Sequence, residues 1–353
     1  GDTVTIRLRV AHGHICEIYL LAKGMHYLMQ MVHAGDVFDY YETQVKLDDA
    51  VFSYCFSIRE NEEEQCFYDK FGVSQEARPE YFFRIIPGFE TPDWAKGAIM
   101  YQILVDRFAN GDSSNDVLDQ EYHYINTMSH QIKDWEQLPN AHFDVADFYG
   151  GDLEGVRQKL YYLKSLGVEV IYFNPLFVSP SNHKYDIADY DHIDPHYGKI
   201  VIDEGELLPP EAGDNMGASR FINRVTSKEN LEASNQFFAE FIEEAHAKGI
   251  RVILDGVFNH CGSFNKWLNR EKIYRTEKGY APGAYEDANS PYRHYFRFAD
   301  ENAWPDNRTY EGWWGHDTLP KLNYEDSQEL YQYILEIGKK WVSPPFNADG
   351  WRL

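Results

Sequence analysis

The polar residues best placed to do chemistry follow the apolar stretch 251–257, which has the composition of a buried strand. The segment Asp255-Gly-Val-Phe-Asn259-His260 puts a carboxylate at the end of this strand, with an amide and an imidazole just beyond it. A single Asp or His in such a place is more often structural than functional. The three together are more specific, because a barrel presents the polar groups at the carboxyl ends of its strands to its active site.

A second group of residues is rich in oxygen donors. Its side chains are Asn110, Asp112, Asn115, Asp116 and Asp152, and Gly150 offers a carbonyl. Hard oxygen donors at this spacing suit calcium, which takes roughly six to eight of them. The same residues also fit an Asx-rich turn followed by a helix N-cap at Asp152. The spacing alone leaves both interpretations open.

The elements that would position these residues alternate between strand and helix after Trp94. We predict strands at 98–107, 168–173, 251–257 and 348–353, and helices at about 153–166, 231–248 and 330–341. This alternation indicates a parallel βα array, and the long loops follow the strand ends, as in a (β/α)8 barrel. The prediction is the first half of such a barrel, about four βα units.

Residues 1–88 instead predict an all-β sandwich, with strands at 3–10, 15–21, 25–32, 51–58 and 80–86. The acidic stretch 60–64 is expected to be a solvated hairpin tip, and 87–93 a linker. Cys55 and Cys66 flank this hairpin and could pair in a secreted protein, although free thiols fit better.

Composition excludes several classes of function. Hydrophobic residues make up 43% of the 353, enough for a sizeable core. The 33 Lys and Arg residues against 57 Asp and Glu give a formal net charge of −24, so nucleic acid and anionic membranes are poor partners. No apolar run is long enough to span a bilayer. Localisation stays open between the cytoplasm and secretion.

The segment from Asp255 to His260 resembles the first conserved region of the α-amylase family, glycoside hydrolase family 13. The resemblance implies that His260 contacts the sugar at the cleaved linkage, and that Asp255 supports the arginine and carboxylates of the site. Residues 100–108 resemble the first barrel strand of the family. Residues 182–198 resemble the loop after strand two, which implies that Tyr185 stacks beneath the reacting sugar and that Asp186 lies nearby.

Two further segments extend the resemblance in the family's order. Residues 313–323, beginning with Trp313 and Trp314, resemble the fifth conserved region as found in neopullulanases, cyclomaltodextrinases and maltogenic amylases, which implies substrate contacts for the two rings. Those relatives usually carry Met where Leu319 stands. Residues 349–353 resemble the approach to the nucleophile on strand four, and Arg352 matches the arginine that keeps this carboxylate ionised. Members of this subfamily bind structural calcium at a loop matching 110–152.

The resemblance covers 89–353 as the catalytic barrel, with a strand-three loop subdomain at about 261–325. It also implies that 1–88 is a starch-binding or dimerisation module and that the protein is a homodimer. Between 199 and 230 this sequence has a rim insertion where relatives have a short turn. We expect this insertion to be a solvated loop.

The family hydrolyses α-1,4-glucosidic bonds with retention, using an Asp nucleophile and a Glu acid/base roughly 5–5.5 Å apart. The resemblance implies that the nucleophile follows Leu353 and that the acid/base and a third carboxylate come later. We therefore expect the sequence to be the N-terminal portion of a longer enzyme and to be inactive alone. The alternatives are a non-catalytic glucan-binding protein on an amylase scaffold and a transglycosylase of the same family.

Overall fold

The computed structural model of the protein describes residues 2–13, 17–60 and 65–353. Contacts between residues divide the chain into two units, with the boundary between Lys96 and Gly97. The start of the predicted strand 15–21 and most of the predicted hairpin tip 60–64 lie outside the described residues. Within the described ranges, no helix combines the length and apolar character needed to cross a bilayer.

The strands described in the first unit form two antiparallel sheets. In chain order they are β1 (Thr3–Ala11), β2 (Glu17–Ala22), β3 (Met25–Leu28), β4 (Gln30–Ala34), β5 (Phe38–Lys46), β6 (Phe52–Arg59), β7 (Gln65–Asp69), β8 (Gly72–Ser74) and β9 (Phe83–Ile85). One sheet has the order β1-β5-β4 and the other the order β3-β2-β6-β7-β8, with β9 paired to β6. One hydrophobic cluster takes Leu8 and Val45 from the first sheet and Leu20 and Phe56 from the second, so the sheets pack face to face.

Two elements of this unit differ from the prediction. The segment 25–32 is wrong as a single strand, because β3 and β4 belong to different sheets and Met29 between them is buried. The sequence does not predict β5, because Asp39 faces inward and interrupts the apolar alternation. The Asp39 carboxylate accepts a hydrogen bond from the Gly13 N–H and contacts the His12 ring at 2.9 Å. Cys55 and Cys66 are free thiols.

The second unit is organised around four parallel strands in the order β10-β15-β18-β19. Its strands are β10 (Met100–Ile103), β11 (His123–Tyr124), β12 (Thr127–Met128), β13 (His130–Gln131), β14 (Asp147–Phe148), β15 (Val170–Phe173), β16 (Phe177–Val178), β17 (Asp189–Ile193), β18 (Arg251–Asp255) and β19 (Gly350–Arg352). Its α-helices are α1 (Leu153–Ser165), α2 (Ser219–Thr226), α3 (Lys228–Ala247) and α4 (Gln328–Trp341). Each predicted strand and helix of this unit is present, although 98–107 is a strand only at β10.

Helix α1 illustrates how the sequence sets these elements. The Asp152 side chain accepts a hydrogen bond of 2.6 Å from the Gly155 N–H, which caps the helix N-terminus. Val156 and Leu160 lie on its buried face, against the sheet. Gly167 follows with φ of +83°, a left-handed conformation that Gly adopts without a steric penalty.

The expectation that 199–230 is a solvated loop holds for 201–217, which are mostly exposed and form no helix or strand, but it is wrong for 218–230. The segment contains α2, whose Phe221 and Ile222 are buried in a second hydrophobic cluster. Arg224 is 2% exposed and its guanidinium pairs with Glu121 and Asp203. The acidic residues and prolines that precede α2 indicate a loop, and the prediction followed them. The apolar residues within α2 are nevertheless spaced along one helix face, which packs inward.

Candidate active site

Asp255 and Arg352 lie at the carboxyl ends of neighbouring strands, paired in the register of β18 and β19. The Asp255 carboxylate is 2% exposed and accepts hydrogen bonds from the hydroxyls of Tyr172 and Tyr185, the latter at 2.8 Å. Arg352 Nη1 lies 3.4 Å from Asp255 Oδ2. Tyr172, Asp255 and Arg352 meet because parallel strands in register bring their carboxyl ends to one edge of the sheet, and Tyr185 joins them from the loop after β16.

The protonation states of Tyr172, Tyr185 and Arg352 allow all three side chains to donate to the Asp255 carboxylate. Burial, followed by the hydrogen bond to Asp255, raises the pKa of Tyr172, and burial also raises the pKa of Tyr185. Both hydroxyls therefore keep their protons and donate. The Asp255 carboxylate raises the pKa of Arg352. The Arg352 side chain is 56% exposed, so its guanidinium retains N–H groups for a second acceptor.

His260 is held by the backbone of Tyr185. Its Nε2 lies 3.0 Å from the Tyr185 carbonyl oxygen and must donate to it. Burial lowers the pKa of His260, which favours the neutral imidazole. The other ring nitrogen, Nδ1, is buried and has no hydrogen-bond partner within the described residues. In this tautomer Nδ1 is an acceptor that a ligand hydroxyl can satisfy.

Aromatic rings extend the surface around His260. Its ring stacks on Trp313 with centroids 4.6 Å apart, and Trp313 stacks on Trp314 at 4.0 Å. Trp314 is 81% exposed and has a left-handed backbone with φ of +52°, which is rare for a large side chain. A β-bridge between His260 and Lys321 joins the two sequence motifs, and a pocket of about 220 Å³ beside them is lined by Asn259, Trp313 and Lys321 but not by His260.

The loop after β16 supplies Tyr185 and Asp186. Asp186 is fully buried; its Oδ1 accepts a hydrogen bond of 2.5 Å from the Ser181 hydroxyl, while its Oδ2 has no partner among the described residues. Lys184, which has φ of +58°, is buried and donates to Asp194 at 2.6 Å. This buried ion pair fixes the backbone on which Tyr185 and Asp186 are presented.

Sequence reasoning missed three residues that the structure places at the site. Tyr172 donates to Asp255, Lys184 anchors the loop, and His183 Nδ1 lies 3.1 Å from the Tyr185 N–H and from the Ser181 hydroxyl oxygen. Tyr172 could have been noticed as the one hydroxyl in the apolar strand β15. Lys184 gave no signal, because a lysine in a polar loop is normally solvated.

The oxygen-rich loop gathers at the N-terminus of α1. Besides capping α1, the Asp152 carboxylate accepts hydrogen bonds from the N–H groups of Gly111 at 3.0 Å and Asp112 at 2.8 Å. The predicted N-cap is thus confirmed. The Asp112 carboxylate contacts Lys199 Nζ at 2.8 Å, so this side chain is already paired with a cation.

Asn110, Asp116 and Gly150 lie close together in this loop, where the Asp116 carboxylate accepts hydrogen bonds from Asn110 Nδ2 at 2.7 Å and Gln131 Nε2 at 2.8 Å. Asn115 Oδ1 is buried without a partner in the described residues. The Gly150 backbone packs closely against two of these side chains. A Cβ at this position would lie only 2.6 Å from Asp116 Oδ1 and 2.7 Å from Asn110 Nδ2, so a larger residue would clash. Burial, with a smaller contribution from the Asp152 carboxylate, raises the pKa of Asp116 to about 6. No three His, Cys, Asp or Glu residues of the described ranges form a metal cluster by themselves, so a cation would also need amide and carbonyl oxygens. Such a donor set fits calcium.

Comparison with known proteins decides the family. The model described as "Alpha amylase, catalytic domain" matches residues 102–203 and 233–353, more than half of the chain. The chain belongs to the α-amylase family. The model described as "Alpha amylase, N-terminal ig-like domain" matches residues 1–86. The α-amylase match includes Asp255, His260, Tyr185 and Arg352, and it leaves out residues 204–232, which contain most of the insertion.

Similar α-amylase family proteins include glucan hydrolases. An amylopullulanase of Thermoanaerobacter thermohydrosulfuricus is 31% identical over 100% of this chain and 24% of its own length. Neopullulanase 2 of Thermoactinomyces vulgaris is 30% identical over 99% of this chain and 51% of its own length. The solved structure of the type III pullulan hydrolase from Thermococcus kodakarensis has a TM-score of 0.59 at 26% identity, covering 99% of this chain and 52% of that chain. The chain thus spans about half, or less, of these relatives.

Proposed function

We propose that the protein provides the sugar-binding part of the active site of a retaining hydrolase of α-1,4-glucosidic bonds. Its substrates would be glucans such as cyclodextrins, pullulan, starch or maltodextrins. The observation that carries the proposal is the double role of Tyr185, whose hydroxyl bonds Asp255 while its carbonyl orients His260. The names of the pullulan-hydrolysing and amylopullulanase relatives support the substrate class.

Each residue has a role that its geometry supports. The unpartnered Nδ1 of His260 would accept a hydrogen bond from a sugar hydroxyl. The half-buried ring of Tyr185 would offer an apolar face to the pyranose, and Trp313 and Trp314 would extend that surface. The exposed guanidinium of Arg352 would pair with a nucleophilic carboxylate and keep it ionised.

The proposal requires carboxylates besides those described. A retaining glycosidase needs two carboxyl groups roughly 5–5.5 Å apart that are free to act on substrate. Asp255 is held by two tyrosines, and Asp186 is fully buried and bonded to Ser181. We therefore propose that later strands complete a (β/α)8 barrel and supply the nucleophile, directly after Leu353, and the acid/base. Residues 1–353 alone would then be inactive.

Calcium is part of the proposal as a structural ion. Asn110, Asn115, Asp116, Asp152 and the Gly150 carbonyl would hold it, and its charge would offset the clustered carboxylates. Its effect would be to fix the loop between β10 and α1, without taking part in bond cleavage. Asp112 and Asp152 fit less well than the other predicted ligands, because Lys199 already neutralises the Asp112 carboxylate and N–H groups already bond both oxygens of Asp152.

We also propose that the sandwich unit mediates glucan binding or homodimerisation. The support is the edge strand β4, on which every side chain is exposed, including Met31 and Val32. Sedimentation velocity of the complete gene product, with Met31→Asp as the variant, tests the dimer. A monomeric wild type would contradict it.

The decisive experiment uses the complete gene product on β-cyclodextrin, pullulan and starch, with product anomers followed by NMR. We expect α-anomers to appear first, and His260→Ala to lower kcat/KM. Initial release of β-anomers would contradict the double displacement. Binding of these glucans without any turnover would instead favour the non-catalytic protein, and predominant transfer to sugar acceptors would favour the transglycosylase.

A further inference from the structure

A second and larger pocket lies between three loops of the second unit. Its volume is about 510 Å³, within the roughly 300–1,000 Å³ typical of small-molecule sites. One wall comes from the insertion, at Asp214 and Met216, and another from His123 and Tyr124 of β11. The remaining lining comes from the strand-three loop, at residues that include Ser263, Arg270 and Tyr285. We call this cavity the insertion pocket.

The insertion is fixed in place as a wall of this pocket. The buried Asn215 side chain accepts from the His123 N–H at 2.7 Å, donates to the His123 carbonyl at 2.9 Å and donates to Glu271 at 3.1 Å. Arg275 donates to the Met216 carbonyl at 2.7 Å. These bonds join the insertion to two other loops, so its rim residues are presented by a defined backbone.

The insertion pocket adjoins the candidate active site. Its wall residue Ser263 follows Gly262, where an added Cβ would lie only 2.2 Å from the Asp186 carbonyl oxygen. The backbone of Asp186 therefore packs directly against the segment that lines the pocket. Tyr124 also lines the pocket, and burial together with the nearby Asp186 carboxylate raises the pKa of Tyr124.

The chemistry of the wall fits a neutral polyhydroxylated ligand. The cationic side chains that line it are Arg270, Lys272 and Arg308. The carboxylates are Asp214, Glu271, Asp306 and Asp317. Because several of these charges already pair with one another, as Lys272 does with Asp306, the wall presents donors and acceptors without a strong net charge. Met216, which is 62% exposed, adds apolar surface at the rim.

We propose that the insertion pocket is an accessory α-glucan site that binds glucosyl units of a substrate chain beyond those held at Asp255 and His260. This inference rests on the proposed function for its ligand class. Because the family match leaves out 204–232, the wall formed by Asp214 and Met216 belongs to this chain rather than to the general α-amylase pattern. The pocket would make the protein selective for longer chains.

The test compares maltohexaose with maltotriose as substrates of the complete gene product. The variants are Arg308→Ala and Met216→Ala, both at exposed side chains, with Arg59→Ala and Met25→Ala of the sandwich unit as matched controls. We expect the pocket variants to raise KM for maltohexaose about tenfold, which is about 1.4 kcal/mol, and to leave kcat and KM for maltotriose unchanged. If the ratio of KM for maltohexaose to KM for maltotriose is the same in wild type and in both pocket variants, the inference is overturned.

Calorimetric binding of maltohexaose separates this inference from the proposed function. If neither oligosaccharide is hydrolysed, the proposed function fails, but loss of maltohexaose binding in Arg308→Ala would still support the pocket. Unchanged maltohexaose affinity in Arg308→Ala would overturn the inference whether or not the protein is active. Binding of inorganic phosphate that Arg308→Ala abolishes, with no effect on maltohexaose, would also overturn it and indicate an anion site.

Discussion

The hydroxyl of Tyr185 donates a 2.8 Å hydrogen bond to the Asp255 carboxylate, although 70 residues separate the two along the chain. The bond links the loop after β16 to the end of β18. It also leaves the Tyr185 carbonyl pointing at His260. One residue therefore sets the positions of both the carboxylate and the imidazole.

Removing this hydroxyl tests the link. Tyr185→Phe keeps the ring but leaves Asp255 without one of its donors. Hydrogen bonds to charged groups contribute about 1.5–3 kcal/mol, so kcat/KM on maltodextrin should fall roughly 10- to 100-fold in the complete protein. Tyr161→Phe on the exposed face of α1 is the control and should leave kcat/KM unchanged. An unaltered rate for Tyr185→Phe would show that Asp255 is oriented without Tyr185.

His260 should make stability depend on pH. Burial lowers its pKa below the ordinary value near 6.5, so the unfolded state binds the proton more readily than the native state. The contribution of neutral His260 is therefore complete above about pH 6.5 and is lost as pH falls from there towards the folded pKa. Urea unfolding at pH 7.5 and pH 5.5 measures this loss.

The comparison with His260→Gln isolates this contribution from those of other histidines. The difference in unfolding free energy between pH 7.5 and pH 5.5 should be smaller in His260→Gln than in wild type. If this difference in unfolding free energy is as large in His260→Gln as in wild type, the pH dependence of stability arises from other groups. His26→Gln, in the sandwich unit, is the matched control.

The buried ion pair of Lys184 and Asp194 should be essential for folding stability. Although burial opposes it, the charges of Lys184 and His196 lower the pKa of Asp194. Lys184→Met leaves this carboxylate without its cation, and breaking such a buried pair costs about 3–5 kcal/mol. Urea unfolding should show this loss, whereas Lys339→Met at an exposed pair should change stability by less than about 1 kcal/mol. A loss equal to that of the control would mean that His196 alone compensates Asp194.

Calcium should stabilise the loop between β10 and α1. At a calcium concentration of 100 times Kd, a site present only in the native state adds about 2.7 kcal/mol, and EGTA should lower Tm accordingly. Asn115→Ala removes the unpartnered buried oxygen and should abolish the difference between calcium and EGTA. Asn126→Ala, on an exposed turn, should retain it. Terbium luminescence gives a second readout, and identical Tm values with calcium and EGTA in wild type would contradict the site.

The elements of the second unit were predictable because their signals are local. The buried face of α1 repeats at helical spacing, Asp152 caps it, and the apolar strands β15 and β18 are bounded by polar loops. Helix α2 in the insertion was not predicted, because the acidic residues and prolines that precede it indicate a loop. Its burial depends on Tyr122, which stacks on Phe221 from a distant part of the chain.

The sequence by itself determined the family and the order of the elements, since both follow from short motifs and local patterns. The resemblance to the family's motifs then singled out Asp255, His260, Tyr185, Asp186 and Arg352. Only the tertiary structure decided which polar atoms of these residues have no hydrogen-bond partner among the described residues, namely His260 Nδ1 and Asp186 Oδ2. It also decided that the Arg352 guanidinium remains exposed to a second acceptor. The physical reason is that hydrogen bonds between segments far apart in the chain satisfy some donors and acceptors and leave others open. Those pairings arise from strand register and loop packing, which no local pattern encodes.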